Sequence, residues 1–190
     1  MQVKKEKYGR KMAVMLIAVS VALFGMLAAY RTYYKTAYPQ RYSELVQKYS
    51  QQYGVDENLV YGVIKVESDF RKDAVSVDDA CGLMQILPST FEWLQTLEPS
   101  DEEYGREDLF DPEINIRYGV FYLSWLQENF NDTKTVIAAY HAGANAVSKW
   151  LGNEMYSSDG LILDKIPYAD TAYYVRVVSE SYSAYRSLYK

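Results

Sequence analysis

The residue with the clearest chemical potential is Glu67. With Leu59 set at zero and a step of about 100° per residue, Val60, Val63, Ile64 and Val66 span an arc from about −20° to 140°, and Glu67 falls inside it at about 80°. A carboxyl group on the buried face of a helix is costly unless it is neutral or well partnered, because desolvation disfavours its charged form. Such a group can stay protonated near neutral pH, as a general acid for glycosidic cleavage must, since the leaving oxygen needs a proton. The same spacing also fits a frayed helix end with Glu67 in solvent, and periodicity alone does not choose between them.

Other groups could do different chemistry. Asp69, two positions further on, would point elsewhere if the helix continued, whereas Asp73, Asp78 and Asp79 stand on an expected loop. If one of these acids reached across from Glu67, the pair could activate water and hydrolyse a glycoside. Cys81 and His141 could act as nucleophile and base in a cysteine peptidase if the fold joined them, but no third, orienting residue is evident. One cysteine forms no internal disulfide, and one histidine leaves too few soft ligands for a structural zinc, so no metal or cofactor is expected. Tyr140 shares an arc with Val136 and Ile137, which buries its ring and leaves its hydroxyl needing a partner.

Four words then stand in order: Glu67-Ser68; Gly82-Leu83-Met84-Gln85; Ala139-Tyr140-His141-Ala142-Gly143; and Ile166-Pro167-Tyr168 ahead of Tyr174-Val175. In order and spacing they resemble the catalytic domain of soluble-type lytic transglycosylases, whose fold is similar to goose-type lysozymes, over roughly residues 45–185. The resemblance implies Glu67 as the only catalytic carboxylate. It would protonate the glycosidic oxygen between N-acetylmuramic acid and N-acetylglucosamine, then act as base while the muramyl 6-hydroxyl attacks the anomeric carbon. The substrate's acetamido group would assist, and the product would be a 1,6-anhydro sugar.

The resemblance also implies substrate-binding roles. Ser68 would orient the glutamate and its loop, Met84 and Gln85 would line the cleft, Tyr140 would pair with Glu67, and His141 and Tyr174 would complete the walls. Three positions depart from the family pattern: His141 stands where asparagine is usual, Asp79 where the loop has glycine, and Ala172 where an arginine often follows the acid-threonine pair. Two other readings keep the fold: a hydrolytic muramidase with a second acid, and an inactive glycan-binding scaffold.

These residues need helices to position them. Ser43 to Tyr53 and Asp56 to Glu67 read as a pair broken at Gly54, with Asp56 as a cap. Asp111-Pro112 opens a third helix with a stripe of Ile114, Tyr118, Phe121, Trp125 and Leu126. Asp132 caps another that stops at Gly143, a short one covers Ala144 to Leu151, and the last runs from Asp170 to Leu188 with Val175, Val178, Tyr182 and Tyr185 on its inner face. No convincing strand alternation appears, so the domain is expected to be mainly α.

The chain has 190 residues, and Met12 to Tyr30 carry no charge. As a helix that stretch rises about 28 Å, enough for a bilayer's hydrocarbon core. Lys4, Lys5, Lys7, Arg10 and Lys11 against Glu6 precede it, placing the N-terminus in the cytoplasm. The expected organisation is a basic cytoplasmic segment (1–11), a transmembrane anchor (12–30), a tyrosine-rich tether (31–41) and one extracytoplasmic domain (42–190). A cleaved signal would need a shorter apolar core and a better site than Leu27-Ala28-Ala29. The N-terminal +4 within a total of −5 leaves −9 on the remainder, which excludes a nucleic-acid footprint. The expected partners are the membrane, through 12–30, and peptidoglycan strands, with a cell-wall or secretion assembly nearby.

Overall fold

The computed structural model describes residues 2–98 and 102–189, with side chains from Arg10 onward; the basic side chains before Arg10 lie outside it. The chain divides into two units, one ending at Pro39 and the other beginning at Gln40. The first is a single helix, α1 (Gln2–Ala37), whose apolar residues from Met12 to Tyr30 are exposed. By length and composition α1 can cross a membrane. It runs beyond Tyr30, so residues 31–37 of the expected tether are helical.

The second unit contains α2 (Ser43–Tyr53), α3 (Glu57–Glu67), α4 (Pro88–Leu97), a 3-10 turn (Arg106–Phe110), α5 (Pro112–Asn129), α6 (Thr133–Ala142), α7 (Ala144–Leu151) and α8 (Ala169–Leu188). Among the described residues the extended pairings are two isolated bridges, Val75 with Cys81 and Cys81 with Ile86. The expected caps act as such. Asp56 Oδ1 accepts from Asn58 N at 2.9 Å, Asp111 Oδ1 from Glu113 N at 2.8 Å, and Asp132 Oδ1 from Lys134 N at 2.9 Å, each satisfying a helix-end amide. Gly54 (φ 71°) ends α2 in the left-handed conformation that glycine tolerates.

Helices α3 and α8 form the wall behind Glu67. Leu59, Val60, Val63 and Ile64 are at most 1 % exposed, each worth about 1.5–3 kcal/mol of burial. The helices approach closely because position 62 is glycine: a Cβ there would lie 3.1 Å from the backbone nitrogen of Tyr182. Val175, Val178 and Tyr185 face the core as expected, whereas Tyr182 is half-buried and donates its hydroxyl to Asp56 Oδ2 at 2.8 Å.

The expected stripe on α5 needs correction. Tyr118 and Leu126 are buried, but Ile114, Phe121 and Trp125 are only half-buried, while Asn115, Ile116, Gly119, Val120, Tyr122 and Leu123 are buried. Because α5 packs against α2, α4, α6 and the 3-10 turn, it is covered on several sides, and a one-stripe pattern cannot describe it. Helix α4 was not expected; Pro88 at its first turn with Phe91 and Leu94 buried three apart was its signal.

Candidate active site

Glu67 is the last residue of α3, where the carbonyl end of the helix already disfavours an anion. Ser68 caps that end, donating its hydroxyl to Leu83 O at 2.8 Å and, less closely, to Ile64 O at 3.3 Å. Asp69 and Phe70 then take positive φ and turn the chain away. Ser68 thus fastens the following loop to the helix end through backbone, without touching the carboxylate.

That loop is fixed from the other side by Asn115 of α5. Its Oδ1 accepts from Met84 N at 2.7 Å, and its Nδ2 donates to Cys81 O at 2.9 Å and Leu109 O at 2.8 Å. Gly82, at φ 78°, lies so close that a Cβ would stand 2.2 Å from both Asn115 Nδ2 and Leu109 O. Gln85, also left-handed, donates its amide to Ala74 O and Gly82 O at 3.0 and 2.9 Å.

A cleft of about 360 Å³ opens over this loop, lined by Glu67, Asp78, Gln85, Tyr122, Tyr140 and His141 with their neighbours. Burial pushes Glu67 up to about 7, opposed by a hydrogen bond from Tyr174, whose hydroxyl donates to Oε1 at 2.6 Å. Proton donation near neutral pH is therefore within its reach. The imidazole of His141 packs 4.5 Å from the Tyr174 ring, with Nδ1 3.2 Å from Thr171 Oγ1. Burial holds His141 below the ordinary imidazole value, with Asp170 pulling the other way.

Two expectations are corrected here. Tyr140 donates to Met84 O at 2.8 Å, so Tyr174 rather than Tyr140 is the phenol on Glu67. Helical phase puts the Tyr140 ring inside but does not say which acceptor its hydroxyl meets. Met84 does not line the cleft: its side chain is fully buried against Gly119, where a Cβ would lie 2.3 Å from the sulfur. It acts at the site through its backbone, carrying the Tyr140 hydroxyl on its carbonyl and Asn115 on its amide.

The remaining acids and Cys81 separate clearly. Asp69 is exposed and paired with Lys65 at 2.5 Å. Asp79 takes φ 66°, where a glycine would be unstrained, and Arg106 grips its carboxyl and holds it below the usual range. Asp78 is the acid of this loop that lines the cleft with Glu67. Cys81 is fully buried, its thiol donates to Asp79 O at 3.3 Å, and burial pushes it up, which opposes thiolate formation. It does not line the cleft with His141, so the peptidase arrangement is absent among the described residues. No group of three or more His, Cys, Asp or Glu among them is placed to hold a metal.

Sequence reasoning missed Asn115, Tyr122 and Thr171. The signal for Asn115 was a lone amide between Ile114 and Ile116. A second groove of about 800 Å³ shares Thr90, Tyr122, Ala142 and Gly143 with the cleft and adds Trp93, Trp125, Lys149, Trp150 and Tyr168. Trp93 stands edge-on to Trp125 at 4.9 Å, and Trp150 edge-on to Tyr168 at 5.2 Å.

Residues 44–162 match the family described as the Transglycosylase SLT domain. The membrane-bound lytic murein transglycosylase C of Haemophilus influenzae is 36% identical over 124 residues, covering 60% of this chain and 35% of its own. The crystal structure of the 70-kDa soluble lytic transglycosylase of Escherichia coli superimposes with a TM-score of 0.73 at 27% identity, covering 81% of this chain and 25% of that one. An inactive glutamate-to-glutamine variant of a lytic transglycosylase from Pseudomonas aeruginosa superimposes with a TM-score of 0.68 at 25% identity, covering 80% and 25%. The chain thus spans about a third of the length of the curated relatives it matches. The match in fold bears out the expected mainly α, lysozyme-like domain. The chain belongs to the transglycosylase SLT-domain family.

Proposed function

We propose that this protein is a lytic transglycosylase that cleaves the glycan strands of peptidoglycan, with Glu67 as acid and then base. The observation that carries the reading is a carboxyl at the floor of an open cleft, desolvated to about 7, with a phenol as its hydrogen-bond partner and no lysine or arginine among the described residues lining the cleft. Glu67 gives its proton to the glycosidic oxygen between N-acetylmuramic acid and N-acetylglucosamine. As the carboxylate, steadied by Tyr174, it then removes the proton of the muramyl 6-hydroxyl as that oxygen closes on the anomeric carbon. One proton leaves Glu67 and one returns, so the cycle needs neither water nor cofactor.

Gln85, Tyr122 and Tyr140 would hold the sugars around the scissile bond. The aromatic groove that continues from Tyr122 to Trp125 and Trp150 suits the apolar faces of further sugar rings. The protein would be a single-pass membrane protein with its domain outside. Tyr30, Tyr33, Tyr34 and Tyr38, whose rings pack at 4.3–6.3 Å, would form an interfacial belt at the outer end of α1. That topology would keep cleavage close to the membrane, beside a wall-building or secretion assembly.

A second reading is favoured by Asp78, a second carboxyl on the cleft, which could activate water for hydrolysis. Mass spectrometry of sugars released from purified peptidoglycan separates the two. Anhydromuramyl ends that disappear in Glu67→Gln are expected. Reducing muramyl ends that disappear in Asp78→Asn would assign the hydrolytic reaction instead, and unchanged release by Glu67→Gln would remove Glu67 from the chemistry.

A further inference from the structure

The hydrogen bond on Glu67 depends on where one ring is held. Tyr174 sits on α8 and is only 6 % exposed, and its hydroxyl meets Oε1 at 2.6 Å. The phenol oxygen is placed by the first side-chain torsion, and because its O–H prefers to lie in the plane of the ring, the second torsion sets the direction in which it donates. The aim of the bond is therefore set by whatever packs on the ring. His141, arriving on the last turn of α6, packs there at 4.5 Å with the planes inclined by 31°. Its own orientation is fixed by Thr171, 1 % exposed and three residues before Tyr174 on α8, through the 3.2 Å contact at Nδ1.

We propose that His141 is a positioning residue for this site: anchored to Thr171, its ring holds Tyr174 in the plane that keeps the phenol on Glu67. The inference rests on Glu67 being the acid. It gives the histidine a mechanical function, acting through Tyr174 rather than on the sugar. Losing the phenol's bond removes an interaction that favours the carboxylate, so the proton on Glu67 would be held more tightly. The titratable groups around the pair are few. Glu67 faces Tyr174 from α8, Tyr140 from α6, and Asp78, Tyr122 of α5 and His141 around the cleft, while His141 faces Tyr174 and Asp170. No lysine or arginine lines this cleft among the described residues.

The test is a set of pH profiles of kcat/KM on purified glycan strands with the full chain. The basic limb reports loss of the Glu67 proton. It should move up by about one pH unit in His141→Ala and similarly in Tyr174→Phe, the size expected when a hydrogen bond to a charged group is lost. The double variant should move no further than either single one, because both remove the same bond. His141→Phe, which keeps a ring on Tyr174, should recover most of the parent limb, whereas His141→Asn, which offers a hydrogen bond without the ring, should stay shifted.

An unmoved limb in His141→Ala with a raised KM would make His141 a substrate contact and overturn the proposal. Additive shifts in the double variant would overturn it too, because they would mean an independent effect on Glu67. Carbon-13 NMR titration of the Glu67 carboxyl should show the same upward shift without any turnover. It therefore tests the positioning even if Glu67→Gln proves active and the catalytic reading fails.

Discussion

Two glutamates end helices in this domain, and each receives a tyrosine hydroxyl. Glu67 closes α3 and accepts a hydrogen bond from the Tyr174 hydroxyl; Glu98 caps α4 and accepts one from that of Tyr53. The difference is a third group. Arg117 of α5 reaches Glu98 at 3.3 Å, with side-chain exposures of 24 % and 19 % for the pair, whereas no lysine or arginine among the described residues lines the cleft of Glu67. The first arrangement is a strut that joins α2, α4 and α5 by opposite charges. The second leaves a desolvated acid that resists ionising. What separates the two glutamates, among the described residues, is the guanidinium that reaches Glu98 and not Glu67.

The sharpest way to break this comparison is to neutralise each acid in turn. Glu67→Gln should lower turnover by roughly 10²–10⁴-fold, the scale of a lost general acid, while Glu98→Gln retains it. Equal losses from both would erase the distinction. Next in size, Arg117→Met should destabilise the fold by about 2–3 kcal/mol in urea unfolding, since partial exposure trims the larger penalty of a fully buried charge. A change below about 0.5 kcal/mol would mean the strut contributes nothing.

A third experiment reads Glu67 as a stability cost. Its folded value near 7 lies above the ordinary 4.5, so the folded state holds a proton that the unfolded chain releases. Stability should then fall as pH rises through that window. Glu67→Gln should gain on the order of 2–3 kcal/mol at pH 8 and nothing at pH 4. A gain of equal size at both would point to packing instead. The smallest effect is expected at Asp79, whose left-handed strain opposes its exposed grip on Arg106. Asp79→Gly should leave the melting temperature unchanged within error.

Much of this was legible in the sequence, for identifiable reasons. Capping is local chemistry, so Asp56, Asp111 and Asp132 marked their helices to within a residue. The arc of α3 turned Glu67 inward and its half-buried carboxyl does line the cleft, although the phase is not clean: Leu59 to Ile64 are buried without a break and α3 packs against α2 as well as α8. The partner of each tyrosine was not legible, because Tyr140 and Tyr174 are both buried phenols and their acceptors come from distant segments. The service of Met84 through its backbone was equally hidden, since its side chain says only that the spot is apolar.

Asn115 has one further consequence, which concerns how far the cleft can be moved between proteins. Both donors and the acceptor of its amide are spent on three backbone groups, two of them in the loop from Val75 to Ile86. The loop's shape is thus written partly on a helix more than thirty residues away. Grafting that loop alone onto another helical scaffold would leave Met84 N buried without a partner and Cys81 O with only Ile86 N, and the graft would become portable only with Asn115 and Gly119 carried along.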